Sequence, residues 1–433
     1  MNPHPPKIKK KGYQTPTGTH DILSEDQFYF QKIYNISESI AEFYNFKKIT
    51  TPILEEAELF SRGIGLGTDI VEKQMYIFRT KGGDWLALRP EGTAPIVRAF
   101  IQHGMYNLPQ PVKLWAFGPY FRYEHPQAGR YRQFHQFSFE IIGEQSSVID
   151  SQIIQIFYSI LKELRFKNLI IEINSIGDSQ CRPYYKKLLV NYLKYRQDAL
   201  CLDCRRRIKE NPLRILDCKE EKCQRIKSQA PQIIDHLCQE CHTHFKEVLE
   251  FLDELELPYR LNPYLVRGLD YYTKTTFEIF EDSEEGKQQG ALVGGGRYDN
   301  LSKLLSGKDN PGMGGAGGIE RIINLMKIKT RKSFSPPSAN IFLAQLGNLA
   351  KRKSLKLFEE FRKAKIPTAE SFSRDSLKAQ LKFADRLGAR YSLILGQKEA
   401  LEGTIIVRDM KSGTQEIVKL EKVVKEMKKR AKR

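Results

Sequence analysis

Long apolar stretches are missing from this chain of 433 residues. No run approaches the ~18 consecutive apolar residues that a helix needs to cross a bilayer, so we expect no membrane-spanning helix and no membrane partner. The N-terminal arm, residues 1–13, is basic and flexible in character, but no apolar segment stands behind it. We therefore expect neither a secretion signal nor an anchor, and the expected location is the cytoplasm.

Two nucleotide-binding motifs are absent as well. The pattern G-x-x-x-x-G-K-[ST] does not occur, and the three consecutive glycines 294–296 do not follow the order G-x-G-x-x-G that opens a helix. The sequence therefore gives no support to a P-loop or to a dinucleotide-binding fold. Glycines at this position instead permit a ligand to approach the backbone closely at a strand end.

Acidic residues are in deficit. The chain has 70 Lys and Arg against 52 Asp and Glu, a net charge of +18. Residues 339–433 contain 23 Lys and Arg against 11 Asp and Glu, a net +12, so this segment holds most of the excess. A basic domain attached to a nearly balanced larger part indicates a nucleic-acid partner attracted by charge. A lysine-rich proteome or a solvated tail is the alternative explanation.

Cysteine is scarce, and all seven cysteines lie in a lysine-rich, helical stretch between about residues 181 and 251. Two C-x2-C pairs stand 37 residues apart, which is a zinc signature because each pair supplies two corners of a tetrahedral thiolate site. Free thiols are the competing interpretation, and disulfides are less expected without an export signal. The predicted zinc ligands are Cys201, Cys204, Cys238 and Cys241, with Cys218 and Cys223 as alternatives.

The stretch FRYEHPQAGRYRQFHQFSFE, from Phe121 to Glu140, combines arginines, carboxylates, a glutamine and aromatic residues. The aromatic-rich KLWAFGPYF before it predicts a strand, Pro126 and Gly129 predict a loop, and a return strand follows. Side chains two apart share one face of a strand, so one face of the return strand belongs to the core. The opposite face is predicted to carry Phe134, Gln136, Ser138 and Glu140.

Arginines cluster in the same hairpin. Arg122, with Arg130 and Arg132 from the loop, is predicted to lie beside Glu124. A guanidinium group offers a planar fork of donors and keeps its charge, so such a cluster suits phosphate. The hairpin is therefore the first candidate for a ligand site.

Three further runs carry polar residues in patterns that suit ligands. Glu91 and Thr93 alternate in LALRPEGTAPIV, where a carboxylate beside a hydroxyl is able to hold an ammonium group; a salt-bridged strand end is the alternative. In LVRGLDYY, Arg267 precedes two tyrosines, for which a tyrosine-lined interface is the alternative. The run PGMGGAGGIER enters a helix near Ile319 with Arg321 in its first turn, and a helix N-terminus favours phosphate.

The C-terminal part differs in pattern from the rest. Residues 331–338, RKSFSPPS, predict a linker. Beyond it, strand, helix, strand, helix, two strands and a basic helix follow in turn, which predicts a small α/β domain over residues 339–433. Between Lys378 and Arg390 four basic residues are predicted on an exposed face suited to backbone phosphates.

Taken together, these motifs resemble those of the histidyl-tRNA synthetases, a family of class II aminoacyl-tRNA synthetases, over nearly the whole chain. TPILEEAELF, with Pro52, is similar to the dimer-interface motif, FRYEHPQAGRYRQFHQ to the second class motif, and GMGGAGGIER to the third. LVRGLDYY and GGGRYD are similar to the histidine-specific signatures, which separate this family from other class II members.

The resemblance implies a fold and a reaction. It implies an α+β catalytic domain on an antiparallel sheet over residues 14–330, a helical Cys-rich insertion at about 180–252, and an α/β anticodon-binding domain. The implied enzyme is a homodimeric ligase that activates L-histidine with ATP and Mg²⁺ and transfers it to tRNA(His). The alternative is the histidine-sensing regulatory subunit of ATP phosphoribosyltransferase, a paralogue that lacks the C-terminal domain.

The resemblance also implies roles for individual residues. Arg122 and Arg267 are the implied catalytic residues, on either side of the α-phosphate. The implied ATP contacts are Arg122, Glu124, Arg130, Phe134 and Arg321. The implied histidine contacts are Glu91, Gly92, Thr93, Arg122, Gln136, Glu140, Arg267, Tyr271 and Tyr272, with Glu140 and Tyr272 reading the two imidazole nitrogens.

Three positions depart from the pattern of the family. His125 stands where an arginine is common, and Ser138 and Phe139 replace smaller or apolar residues near Glu140. We expect His125 to affect a phosphate or acceptor-end contact and Ser138 to alter the shape of the pocket.

Overall fold

The structure is a computed structural model that describes residues 12–65, 68–127, 129–329 and 340–430. Apart from residues 12 and 13, the predicted basic arm lies outside these ranges, as does the predicted linker 331–338. The chain divides into two compact units, Met1–Lys332 and Ser333–Arg433. Within the described residues, no helix is both long enough and apolar enough to cross a membrane.

The first unit is built on an eight-stranded sheet with the order β1-β5-β6-β11-β10-β9-β7-β8 and a three-stranded sheet with the order β2-β4-β3. Its strands are β1 Lys47–Lys48, β2 Leu54–Glu56, β3 Tyr76–Arg79, β4 Trp85–Leu88, β5 Val112–Phe121, β6 Gln133–Ile142, β7 Leu169–Ser175, β8 Tyr259–Leu261, β9 Thr273–Glu281, β10 Val293–Arg297 and β11 Gly312–Gly318. Within the large sheet all neighbours are antiparallel except the edge strands β1 and β8. This arrangement confirms the predicted antiparallel α+β domain.

Helices cover both faces of the large sheet. They are α1 Ser24–Phe43, α2 Ala57–Ile64, α3 Thr93–Gln102, α4 Ser147–Glu163, α5 Cys181–Lys194, α6 Leu202–Glu210, α7 Glu221–Lys227, α8 Gln239–Glu254, α9 Glu284–Gln289, α10 Leu301–Ser306 and α11 Ile319–Lys329. Shorter 3-10 or π segments are Ile70–Gln74, Met105–Asn107, Gln197–Ala199, Pro212–Ile215 and Ile233–His236. Between β7 and β8 the chain forms helices α5 to α8 and no strand.

The period-two pattern of β6 decides which face of the sheet is core. Phe137, Phe139 and Ile141 are fully buried and pack with apolar residues of α1, α4 and α11. Helix α1 turns Phe30 and Ile33 toward this core, as its apolar spacing predicts. The opposite face of β6 looks toward α3 and the helices between β7 and β8. A second apolar cluster on the other side of the sheet joins Leu114, Ala116 and Ile142 to α3, and the polar side chains of β6 lie beside it on that same side.

The second unit is a mixed five-stranded sheet with the order β13-β12-β14-β15-β16, packed with helices. Its elements are β12 Ile341–Gln345, α12 Asn348–Lys363, β13 Thr368–Glu370, α13 Leu377–Arg386, β14 Tyr391–Leu395, α14 Gln397–Glu402, β15 Thr404–Asp409, β16 Gln415–Lys419 and α15 Val423–Arg430, with a 3-10 turn at Leu420–Lys422. The predicted α/β domain is confirmed. Sequence reasoning missed α14, and it missed β16, an edge strand whose residues are mostly exposed.

Candidate active site

A cavity of about 700 Å³ opens on the polar face of the large sheet. This volume is in the range of ligand clefts, which span roughly 300–1,000 Å³. Its walls come from the β5–β6 hairpin, the turn before α3, the loop before β9, the β11–α11 junction and the segment around α7. Parts of the chain that are far apart in sequence therefore meet at one site, and most of the predicted site residues lie among them.

The hairpin has the register that the alternation predicts. Phe121 pairs with Gln133 and Tyr120 with Phe134, and the ladder continues to Val112 and Ile142. Phe134, Gln136 and Ser138 line the cavity. Because β6 is held by β5 on one side and β11 on the other, these side chains project from a fixed backbone.

Two guanidinium groups are fixed over the hairpin. Arg122 Nε donates to the carbonyl of Pro90 at 2.9 Å, and the guanidinium lies 5.3 Å from the ring centre of Phe134. Arg321, in the first turn of α11, donates to the carbonyls of Gly129 at 3.3 Å and Ala291 at 2.8 Å. Both side chains line the cavity, and hydrogen bonds to backbone carbonyls fix the orientation of each guanidinium plane.

The arginines repel one another across the cavity. Burial lowers the pKa of Arg122, and the nearby charge of Arg267 acts in the same direction. Burial, followed by the charge of Arg130, lowers the pKa of Arg321. Both guanidinium groups stay charged at neutral pH because the ordinary pKa of an arginine side chain lies far above 7. A half-buried cluster of like charges is stabilised by an anion, so the site suits a polyphosphate.

Arg267 approaches the cavity from the loop before β9, three strands away from the hairpin in the sheet order. It forms an ion pair with Glu278 of β9, and its guanidinium lies 5.5 Å from the ring centre of Tyr272. A Cβ atom at Gly294 would meet Arg267 Nη1 at 2.6 Å. The first glycine of the GGG run therefore leaves room for this arginine, and the run lies inside β10 rather than at a strand end.

Glu91 and Thr93 lie at the start of α3. The Glu91 carboxylate accepts from the backbone amides of Thr93 at 2.6 Å and Ala94 at 2.9 Å, and from the Tyr271 hydroxyl at 3.2 Å. Burial raises the pKa of Glu91, although these donors oppose the shift. Glu91, Gly92, Thr93 and Tyr271 all line the cavity. The alternative of an exposed ion-paired strand end is wrong, because Glu91 is buried.

Glu140 is fully buried and, unlike the other predicted histidine contacts, does not itself line the cavity. Its carboxylate accepts hydrogen bonds from the hydroxyls of Thr93 at 2.9 Å and Tyr298 at 2.6 Å. Burial raises its pKa to about 8, and the two hydroxyl donors lower it less than burial raises it. A Cβ at Gly314 would come within 1.7 Å of this carboxylate, so β11 needs glycine at this position.

Other predicted residues occupy distinct places. Glu124 and Arg130 line the cavity and approach to 3.9 Å, whereas Arg132 stacks on Tyr123 at 3.9 Å outside the lining. His125 is exposed. Ser138 lines the cavity, and its buried hydroxyl has no hydrogen-bond partner among the described residues.

Phe139 belongs to the core and not to the pocket. Its ring lies 6.2 Å from Trp115 and 5.6 Å from Phe157, on the face of β6 that points away from the cavity. This departure from the family pattern therefore lies on the opposite side of the strand from Glu140, because alternate residues of a strand face opposite sides.

Several supporting residues escaped sequence reasoning. Glu320 accepts from His135 Nδ1 at 2.7 Å and from the His135 amide, and thereby joins α11 to β6. Glu278 pairs with Arg267. An acidic residue in the otherwise apolar TFEIF strand was the available signal for Glu278; the other contacts depend on tertiary folding.

The cysteines form two groups rather than the predicted one. Within each group the potential ligand atoms all lie within 4.8 Å of one another. The first group is Cys201, Cys204, Cys218 and Cys223, and the second is Asp178, Cys181, Cys238 and Cys241. The predicted set of Cys201, Cys204, Cys238 and Cys241 is therefore wrong. The two C-x2-C pairs begin different helices, α6 and α8, so each meets the partners that its own helix packs against.

Comparison with known proteins places both units. Residues 76–326 match the class II core domain of the G, H, P, S and T tRNA synthetases, and residues 341–430 match the anticodon-binding domain. Histidine–tRNA ligases of Halothermothrix orenii and Dehalococcoides mccartyi are 45% and 44% identical over 96% of this chain and 99% of theirs. The chain belongs to the histidine–tRNA ligase family.

A solved structure agrees with this family assignment. The apo histidyl-tRNA synthetase of S. aureus matches with a TM-score of 0.79 and 35% identity, over 96% of this chain and 99% of that one. The cavity of this family member lies within the matched class II core, with its walls at Glu91, Arg122, Arg267 and Arg321.

Proposed function

We propose that the protein is a histidine–tRNA ligase that condenses L-histidine with ATP and then transfers the histidyl group to tRNA(His). The observation that carries the proposal is the pair Arg122 and Arg267, which reach one cavity from the end of β5 and from the loop before β9, two strands that β6, β11 and β10 separate in the sheet. In-line attack of a carboxylate on the α-phosphorus needs no protein nucleophile. It needs alignment and positive charge where negative charge develops, and both arginines supply these.

ATP is proposed to lie on the hairpin. The adenine ring would stack between Phe134 and Arg321, with Glu124 at its edge and Arg130 near the outer phosphates. The support is that these side chains and Arg122 line the same cavity. The cavity also offers Glu278, a half-buried carboxylate of the oxygen type that Mg²⁺ prefers beside phosphates. Mg²⁺ bound with the nucleotide would neutralise the leaving pyrophosphate.

Histidine is proposed to lie between the start of α3 and the loop before β9. Glu91 and Thr93 would hold the α-amino group, and Gln136 and Arg122 the carboxylate, while Tyr271 closes this end. Glu140 and Tyr272 would read the imidazole. The Thr93 hydroxyl, which lines the cavity, donates to the buried Glu140 carboxylate directly behind it, and the two hydroxyl donors of Glu140 leave acceptor positions for an imidazole N–H.

Exposed surfaces of the two units support two proposed partners, a second copy of the chain and tRNA. In the three-stranded sheet and the segment before it, Ile53, Leu54, Ile77, Phe78 and Trp85 are exposed, which supports a homodimer through this sheet. In the C-terminal unit, Lys378, Lys382, Arg386 and Arg390 are all exposed and suit the tRNA backbone. Such an enzyme would work in the cytoplasm. The domain limits that we propose are 14–330 for the catalytic domain, 180–252 for the insertion within it and 339–433 for the anticodon-binding domain.

The alternative, a histidine-sensing regulatory subunit, has less support because the anticodon-binding match covers residues 341–430. The test is ATP–pyrophosphate exchange with each standard amino acid supplied in turn. We expect exchange with histidine alone. A folded protein that binds histidine but gives no exchange would overturn the ligase proposal and favour the regulatory one.

A further inference from the structure

The four-cysteine cluster, Cys201, Cys204, Cys218 and Cys223, has the geometry of a tetrahedral thiolate site. Its four Sγ atoms lie within 4.8 Å of one another, and Cys201 Sγ and Cys218 Sγ are 3.9 Å apart. Zinc–sulfur bonds of about 2.3 Å at tetrahedral angles require sulfurs about 3.8 Å apart. The cluster thus already has the spacing of a bound metal and not the roughly 2 Å of a disulfide.

Backbone amides surround these sulfurs as they do in zinc knuckles. The Cys204 amide donates to Cys201 Sγ at 3.4 Å, and the Cys201 amide donates to Cys223 Sγ at 3.3 Å. Cys204, Cys218 and Cys223 are buried, and Cys201 is half-buried. Donors aimed at sulfur favour thiolates, and four thiolates at this separation repel one another unless a cation lies between them.

A second cluster joins the two ends of the insertion. We name Asp178, Cys181, Cys238 and Cys241 the root cluster. Asp178 and Cys181 follow β7 directly, whereas Cys238 and Cys241 lie at the start of α8. The Cys238 amide donates to Cys181 Sγ at 3.1 Å, so the entering and returning chains already touch through sulfur. Three sulfurs and a carboxylate oxygen are also zinc ligands.

We propose that each protein chain binds two structural zinc ions, one in the four-cysteine cluster and one in the root cluster. All seven cysteines are thereby used, each in one site. Both sites present four protein ligands and no open position, so the zinc ions fold the insertion and take no part in the reaction.

The two sites support the cavity from different sides. Cys218 lines the cavity. Between the cysteines of its cluster, Arg207 and Arg214 form ion pairs with Asp69 at 3.2 and 2.6 Å. Next to the root cluster, Arg182 donates to the backbone carbonyl of Tyr272. Loss of either metal is therefore expected to loosen one side of the histidine pocket.

The first experiment measures metal in the full-length protein. After dialysis into metal-free buffer, mass spectrometry of the elements should find about two zinc ions per chain. Replacement by Co²⁺ should give the intense visible absorption of tetrahedral cobalt with sulfur-to-metal bands. This second measurement needs no variant and no catalytic activity, so it stands even if the ligase proposal fails.

Paired variants assign the sites. Cys201→Ser with Cys204→Ser should lower the content to about one zinc, and so should Cys181→Ser with Cys238→Ser. Asp203→Ser is the matched control, since Asp203 is exposed between the two cysteines of α6 and should leave the content unchanged. If a paired variant does not fold, the zinc content and cobalt spectrum of the parent protein still decide the stoichiometry.

Other outcomes overturn the proposal in whole or in part. Less than about half an equivalent of zinc in protein purified with reductant, together with no tetrahedral cobalt spectrum, would overturn both sites. A second outcome is one zinc ion per chain in the parent protein, lost in one paired variant and kept in the other. It would overturn the site whose cysteines are replaced in the variant that keeps its zinc. Disulfides recovered from protein unfolded without reductant would overturn the metal assignment of the cysteines involved.

Discussion

The cavity has two walls that are held by different interactions. The sheet wall, formed by β6, β11 and β9, rests on backbone ladders and on buried side chains such as Phe137 and Phe277. The insertion wall, residues 214–227, has no strand; it shares a buried apolar cluster with Tyr271 and Tyr272, and Arg214, together with Arg207 of α6, pairs with Asp69 before the Ile70–Gln74 segment. These ion pairs are partly exposed and contribute ~0–1 kcal/mol each. Groups that need fixed geometry therefore belong on the sheet wall, whereas the insertion wall is able to adjust around a ligand.

Arg267→Ala gives the largest effect if the sheet side holds the chemistry. We expect the rate of histidyl-adenylate formation to fall ~10²–10³-fold, because a preorganised donor to the developing charge is lost. Histidine binding should change much less, as judged by calorimetry. Arg206→Ala is the matched control, since Arg206 lies on the exposed side of α6 and pairs with Glu210. Single-turnover rates equal to those of the parent would remove Arg267 from the mechanism.

Glu140→Gln tests the residue of β6 that we propose to recognise the imidazole of histidine. We expect the KM for histidine to rise ~10-fold to 10²-fold, because the glutamine amide puts an N–H₂ donor where Glu140 accepts from the hydroxyls of Thr93 and Tyr298. The KM for ATP should stay constant. Glu285→Gln, at an exposed position of α9, serves as the control. Equal rises in both KM values would indicate a general disturbance of the fold instead.

The same variant gives a pH signature. Burial raises the pKa of Glu140 from the usual 4.5 to about 8, so between these values the folded protein holds a proton that the unfolded chain has released. Stability should therefore fall as pH rises through this window and become independent of Glu140 above it. Glu140→Gln should remove that part of the slope. Urea unfolding at several pH values between 5 and 8.5 measures it, and parallel profiles for parent and variant would contradict the burial argument.

How far the sequence predicted the structure differs between the two walls. On β6 the period of two correctly assigned Phe137 to the core and Gln136 to the cavity, because alternation is a local property of any strand. The partners of Glu140 were not predictable in this way, since Thr93 lies 47 residues away in the chain and Tyr298 lies 158 away.

The cysteines show the limit most clearly. C-x2-C spacing gave the two pairs but not their partners, since a helix N-terminus fixes two ligands and packing chooses the others. Cys218 and Cys223 have a wider spacing, yet they complete the site of Cys201 because α7 packs close to the start of α6. Local rules therefore predicted the site residues of the hairpin better than the metal ligands of the insertion.

Asp69→Asn should have the smallest effect, and it probes the insertion wall directly. It weakens the ion pairs with Arg207 and Arg214, so we expect a loss of stability below ~1 kcal/mol and a rise of a few-fold in the KM values. Both changes should shrink as salt is added, because partly exposed charges are screened. Glu58→Gln, which alters a surface pair with Arg62, is the control. If Asp69→Asn instead lowers the adenylation rate as much as Arg267→Ala, the insertion wall is a rigid part of the catalytic geometry, and the contrast between the two walls is wrong.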